Sequence, residues 1–144
     1  MTRVAYAIVL MLCGAGLHAL AMHEPAPGGY IIEHDAEVAK NEPGTHNGGG
    51  QTVGYSFFSQ VPKLGLVFRK RALKPGSAVG LHEQREDEIY YVLSGTGTMT
   101  LDGKTVNVTP GTAVLTRTGS SHSLRQTGTD DLVILINYEA APPR

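Results

Sequence analysis

The sequence predicts an all-β protein built as a single sandwich or barrel, and three observations carry that expectation. Eighteen glycines and eight prolines are scattered along the chain, as frequent tight turns between short strands require. From Tyr55 onward, short runs of alternating or continuous apolar residues are separated by such turns. No stretch of useful length repeats its apolar residues with the helical period. A closed or double-layered sheet would also protect the edges of so many short strands, and 144 residues suit one domain.

Residues 1–21 read as a secretory signal peptide: Arg3 gives a positive start, Val4 to Leu12 an apolar stretch, and Ala19-Leu20-Ala21 a small-residue cleavage site. Gly14, Gly16 and His18 interrupt the run, which is too short to span a bilayer. The expected product is exported, periplasmic or secreted, with no membrane association after cleavage. Cys13, the one cysteine, falls inside this leader, so no disulfide or thiolate chemistry remains for the rest of the chain. A formal net charge of −1 provides no basic field for nucleic acid or anionic lipid, which points to a small-molecule partner.

Residues 22–54, rich in Pro and Gly, read as an N-terminal arm with at most one strand, Tyr30 to Ile32, and a helical turn near Asp35 to Lys40. The barrel itself is expected over 55–139. Leu64 to Leu73 is its first strand, stopped by Lys74-Pro75-Gly76; Val79 to Gln84 and Glu88 to Leu93 follow. Thr98 to Leu101 and Lys104 to Val108 flank Asp102-Gly103, the signature of a type I′ hairpin. Ala113 to Thr116 and His122 to Arg125 come next. Leu132 to Ile136, continuously apolar, reads as a strand covered on both faces, and 140–144 is a tail.

The stretch from Gly76 to Gly95 organises the chemistry. On an extended chain His82 and Gln84 share a face, and the hydrophilic turn Arg85 to Asp87 can return Glu88 beside them. An imidazole, an amide oxygen and a carboxylate would then meet in one place. Tyr90, two residues beyond Glu88, shares the inward face and is a candidate proton donor or orienting group, although a buried structural tyrosine is the commoner role. Glu86 is a candidate second carboxylate at the mouth, against a solvated corner formed with Glu83, Arg85 and Asp87. Arg69 and Arg71 read either as a cationic pair turned inward toward an anionic substrate or as a charged face on a sheet edge. His34 and His46 are candidate extra ligands, against the commoner role of exposed loop histidines, and His46, beside three glycines, can also reach a cavity mouth and touch substrate.

Gly76, five residues, His82, one, Gln84, three, Glu88, six, Gly95 resembles the first motif of the cupin superfamily, in which His stands where this chain has Gln84. Gly111, five residues, Arg117, one, Gly119, two, His122, three, Gln126 is similar to the second, with Arg117 in place of Pro and Gln126 in place of Asn. The resemblance implies a double-stranded β-helix, the jelly-roll barrel, with a divalent metal ion held by His82, Glu88 and His122 and with Gln84 at the fourth ligand position. It also implies pairing of barrels into homodimers. An amide oxygen in place of imidazole favours Mn²⁺ or Fe²⁺, with Zn²⁺ or Ni²⁺ as further candidates. Two functions follow as expectations. One is an exported metal-dependent enzyme acting on a small oxygen-rich or aromatic metabolite, with dioxygenase, decarboxylase, isomerase and lyase chemistry all open. The other is a non-catalytic module that binds a sugar or organic acid in a metal-free or structurally metallated barrel, Gln84 then marking an empty pocket that offers only hydrogen bonds.

Overall fold

The computed structural model describes residues 28–140; the leader expected over 1–21 lies outside them. A single helical turn, α1 (Asp35–Val38), leads into ten strands: β1 (Ala39–Pro43), β2 (Gln51–Phe57), β3 (Leu66–Leu73), β4 (Ala78–Glu83), β5 (Glu88–Ser94), β6 (Gly97–Leu101), β7 (Lys104–Val108), β8 (Ala113–Thr116), β9 (Ser121–Gln126) and β10 (Leu132–Glu139). They form a six-stranded sheet, β1-β2-β3-β10-β5-β8, and a four-stranded sheet, β4-β9-β6-β7, with every pairing antiparallel. The all-β expectation holds, and the architecture is that of a jelly-roll barrel.

Period-two alternation decides which side chains enter the barrel. On β5, Glu88, Tyr90 and Val92 are buried while Ile89, Tyr91 and Leu93 are exposed. On β9, His122, Leu124 and Gln126 are the buried set. Both sheets feed one core: Leu73, Tyr90, Val92, Leu132, Ile134 and Ile136 from one, Val79, Met99, Val108 and Leu124 from the other. Apolar burial of this kind contributes roughly 1.5–3 kcal/mol per large side chain. Asp102 and Gly103 both take positive φ, 45° and 80°, as the type I′ hairpin between β6 and β7 requires.

Three expectations need correction. The stretch read as an arm with at most one strand at 30–32 instead supplies β1 and β2, which pair with each other and add to β3, so the sheet begins at Ala39 rather than at Tyr55. Residues 30–32 are in coil. The apolar run on β10 is not equally covered on both faces: Leu132, Ile134 and Ile136 are buried, while Val133 and Leu135 are half-buried. Lastly, β3 lies between β2 and β10, so Arg69 and Arg71 are not on a sheet edge.

Candidate metal centre

One ligand atom each from His82, Glu88 and His122 falls in a set whose members all lie within 4.8 Å of one another. Strand pairing produces the meeting. His82 on β4 is the register partner of His122 on β9, and Glu88 begins β5 on the facing sheet. A bulge in β4 between Val79 and His82 re-aims the latter, as bulges do beside functional sites. His82 Nδ1 lies 2.9 Å from the Gly80 carbonyl oxygen, to which it donates as the protonated nitrogen. Its Nε2 lone pair is thereby left for a metal ion.

The donor set fits a cation. Glu88 Oε2 is buried without a hydrogen-bond partner, as is His122 Nδ1. The other nitrogen of His122, Nε2, lies 3.3 Å from that carboxylate oxygen and 3.0 Å from the Tyr90 hydroxyl. A buried acceptor with no donor is costly, and a divalent ion would satisfy it. Bonds of about 2.1 Å put the ligands of one ion about 3–4 Å apart, and Glu88 Oε2 and His122 Nε2, 3.3 Å apart, fall in that range.

The cluster opens into a cavity of about 590 Å³, within the range of small-molecule sites. His46, Arg69, Arg71, His82, Gln84, Glu86, Glu88 and Tyr90 all line it, and His122 is fully buried beside them. The nine candidate ligand, catalytic and substrate residues are thus brought to one end of the barrel, whereas His34 caps α1 and does not line the cavity. They are not equivalent. Arg71 is locked: Nη1 donates to Thr52 Oγ1 at 2.7 Å and Nη2 to Glu42 Oε2 at 2.9 Å. Arg69 keeps a buried Nε with no partner and lies 5.9 Å from the Tyr138 ring centroid, a cation–π distance. Glu86 is half-buried at the rim, whereas Glu83, Arg85 and Asp87 are exposed, Asp87 holding Arg117 and Thr118. Gln126 acts as a clamp away from the cavity, accepting from the Gly76 amide and donating to the Gly128 and Asp130 carbonyls.

Tyr138 also lines the cavity and was not foreseen. The signal was present, since Leu132, Ile134 and Ile136 extend by the same alternation to position 138. Its phenol is held protonated, its pKa raised first by burial, with Arg69 opposing and the charges of Glu88 and Glu86 adding. His46 is shifted the other way. Burial, then the neighbouring His82, lowers its pKa and favours the neutral ring.

Tyr90 has its pKa raised well above 10.0, by burial first and then by the charge of Glu88. The folded state therefore keeps a proton that the unfolded chain loses above about pH 10, so stability is fully present below that pH and declines as pH rises further. In urea titrations from about pH 8 to 11, Tyr90→Phe is expected to show a shallower alkaline decline. It should also show a loss of about 1 kcal/mol at neutral pH for the missing bond to His122. An unchanged alkaline slope would refute the assignment.

The family model of the cupin domain matches residues 70–138. A protein of Thermotoga maritima named oxalate-binding protein is 44% identical over 70 residues, 48% of this chain and 58% of that protein, so the match spans little more than half of the curated relative. A crystal structure from Thermotoga maritima described as a predicted oxalate decarboxylase superposes with a TM-score of 0.70 at 30% identity, covering 77% of this chain and all of the other. A putative sugar phosphate isomerase from Acidithiobacillus ferrooxidans gives 0.63 at 25%, covering 72% and 68%. Since the matched region carries both motifs and runs from β3 through β10, and a solved relative is covered from end to end, the chain belongs to the cupin family.

Proposed function

We propose that this cupin holds a divalent ion with His82, Gln84, Glu88 and His122 and uses it to bind a small organic acid with adjacent oxygens, most simply as a metal-dependent enzyme. The unpartnered carboxylate oxygen of Glu88 beside His82 and His122, at the base of a cavity that Arg69 also lines, carries this reading. Such an ion supplies Lewis acidity and a template for chelating oxygens. The oxygen donors of Gln84 and Glu88 favour Mn²⁺ or Fe²⁺ over softer choices, with Zn²⁺ and Ni²⁺ as alternatives.

The protein's own side chains define the substrate class. Arg69 faces the same side as Ile136, its register partner, and offers an unpaired guanidinium N–H to an anion. Arg71 adds positive charge but is held by Glu42 and Thr52, so Arg69 is the group free to grip a carboxylate. The buried Tyr90 phenol fixes the His122 ring, and Glu86 stands at the rim as a second carboxylate. Polar walls of this kind suit an oxygen-rich acid better than an aromatic ring. The relatives' names, one for oxalate binding and one for a predicted oxalate decarboxylase, support dicarboxylates as the first probes. The leader-like pattern of residues 1–21 supports action outside the cytoplasm.

A binding module without turnover is the second reading, favoured by the relative named for binding alone. Calorimetry with Mn²⁺ and then oxalate tests the common part: one ion per chain is expected, with oxalate binding only to the loaded protein. Arg69→Ala should weaken oxalate about tenfold, roughly 1.4 kcal/mol, at unchanged metal affinity. Equal oxalate affinity in the variant would exclude Arg69 from recognition. Product formation by the loaded protein separates enzyme from module.

A further inference from the structure

The segment before β2 brings a residue to this centre that the matched family region, 70–138, does not contain. His46 sits in a 3-10 turn, Thr45–Asn47, with φ 51° and ψ 39°. A non-glycine residue in the left-handed region carries local strain and persists only where surrounding structure imposes it. Here the surroundings do. A Cβ on Gly80 would meet the His46 carbonyl oxygen at 1.9 Å, and one on Gly48 would meet the Ala78 carbonyl oxygen at 2.1 Å. Bare backbone on both sides therefore lets the turn lie directly on the β4 bulge, where the Gly49 carbonyl accepts from the Ala78 amide at 3.2 Å. The imidazole is laid flat on that of His82, with centroids 3.6 Å apart and planes within 4°. Among the described residues neither ring nitrogen of His46 has a hydrogen-bond partner.

We propose that His46 is a ligand of the metal ion, a third imidazole that the pre-barrel turn lays beside His82. The inference rests on the metal-binding reading above. Its ring nitrogens lie outside the 4.8 Å set formed by His82, Glu88 and His122, so the ring must tilt out of its stack on His82 to ligate an ion. First-row divalent ions prefer imidazole nitrogen to amide oxygen, so the tilt is favoured once an ion is bound.

Zn²⁺ is the probe, with the full chain labelled with ¹⁵N-histidine and followed by long-range ¹H–¹⁵N NMR. On loading, three imidazoles are expected to show metal-shifted nitrogens, those of 46, 82 and 122. His46→Asn, chosen because Asn tolerates left-handed backbone, should remove one of the three and weaken Zn²⁺ about tenfold. Two shifted imidazoles in the wild type, or unchanged Zn²⁺ affinity in His46→Asn, would overturn the assignment while leaving the metal site in place. A wild-type protein that takes up no Zn²⁺, or one whose uptake survives Glu88→Gln, would instead remove the metal-binding reading and this inference with it.

Discussion

The Glu88→Gln protein is expected to lose stoichiometric Mn²⁺ binding, its dissociation constant rising at least about 100-fold, roughly 2.7 kcal/mol, while the metal-free form melts no lower than the wild type. Two opposing effects give these signs. Glu88 is 6% exposed and one carboxylate oxygen has no hydrogen-bond donor, so without an ion the folded state bears a desolvation cost for the buried carboxylate that His122 Nε2, 3.3 Å away, only partly offsets. The amide has nearly the same shape and no charge, which removes that cost. With an ion held by the proposed set His82, Gln84, Glu88 and His122, the same carboxylate would be the one anionic donor, and a divalent cation surrounded only by neutral donors loses most of its Coulombic stabilisation. Metal analysis after dialysis and calorimetric melting of both metal-free proteins test the pair of outcomes. Equal Mn²⁺ affinity would show that the carboxylate is not a ligand. A metal-free variant melting several degrees lower would show that Glu88 works chiefly through its pairing with His122, 3.3 Å away.

How far the site could be read from sequence depended on how each residue reaches it. His82, Glu88 and Tyr90 are placed by strand alternation and one short turn, which is local information. His122 arrives through its pairing with His82 across the second sheet, and only the resemblance of the second motif anticipated that. The environment of Arg71 was hidden because its partners come from strands that do not look like strands. β1 reads Ala-Lys-Asn-Glu-Pro and is mostly exposed, with weak strand propensity and a proline tolerable only because the strand is an edge. β2 has Gly54 at its centre, ordinarily a sign of interruption. The structure gives that glycine a reason: a Cβ there would lie 2.7 Å from Glu42 Oε2, the oxygen that accepts from Arg71. Gly54 leaves the gap through which β1 reaches across β2 to neutralise a buried guanidinium on β3. The apparent break is a clearance, and clearances are set by long-range packing.

Gly80→Ala is expected to destabilise the protein by about 2–3 kcal/mol and to free the segment 45–50 selectively. The added methyl would meet the His46 carbonyl oxygen at 1.9 Å, its carbon at 2.8 Å and the Gly48 nitrogen at 3.0 Å. These are backbone atoms, so no side-chain rotation relieves the overlap, and overpacking of this kind typically costs 1–3 kcal/mol. One of the two chains must yield. β4 is paired to β9 on either side of the bulge, at Ala78, Val79, His82 and Glu83, and its Val79 belongs to the core. The turn is attached by fewer bonds, chiefly Gly44 N to Gly50 O and Ala78 N to Gly49 O, so the turn should lift. Amide exchange at 45–50 should then accelerate while β9 and β10 stay protected, and the urea midpoint should fall. Gly65→Ala is the matched control, because a Cβ at Gly65 meets nothing within 4 Å. If Gly80→Ala keeps both its midpoint and its protection at 45–50, the close seating of this turn on the bulge is wrong, and with it the placement of His46 over His82. If β9 loses protection instead, the turn is the stiffer partner, and it is the turn that holds the bulge in shape rather than the reverse.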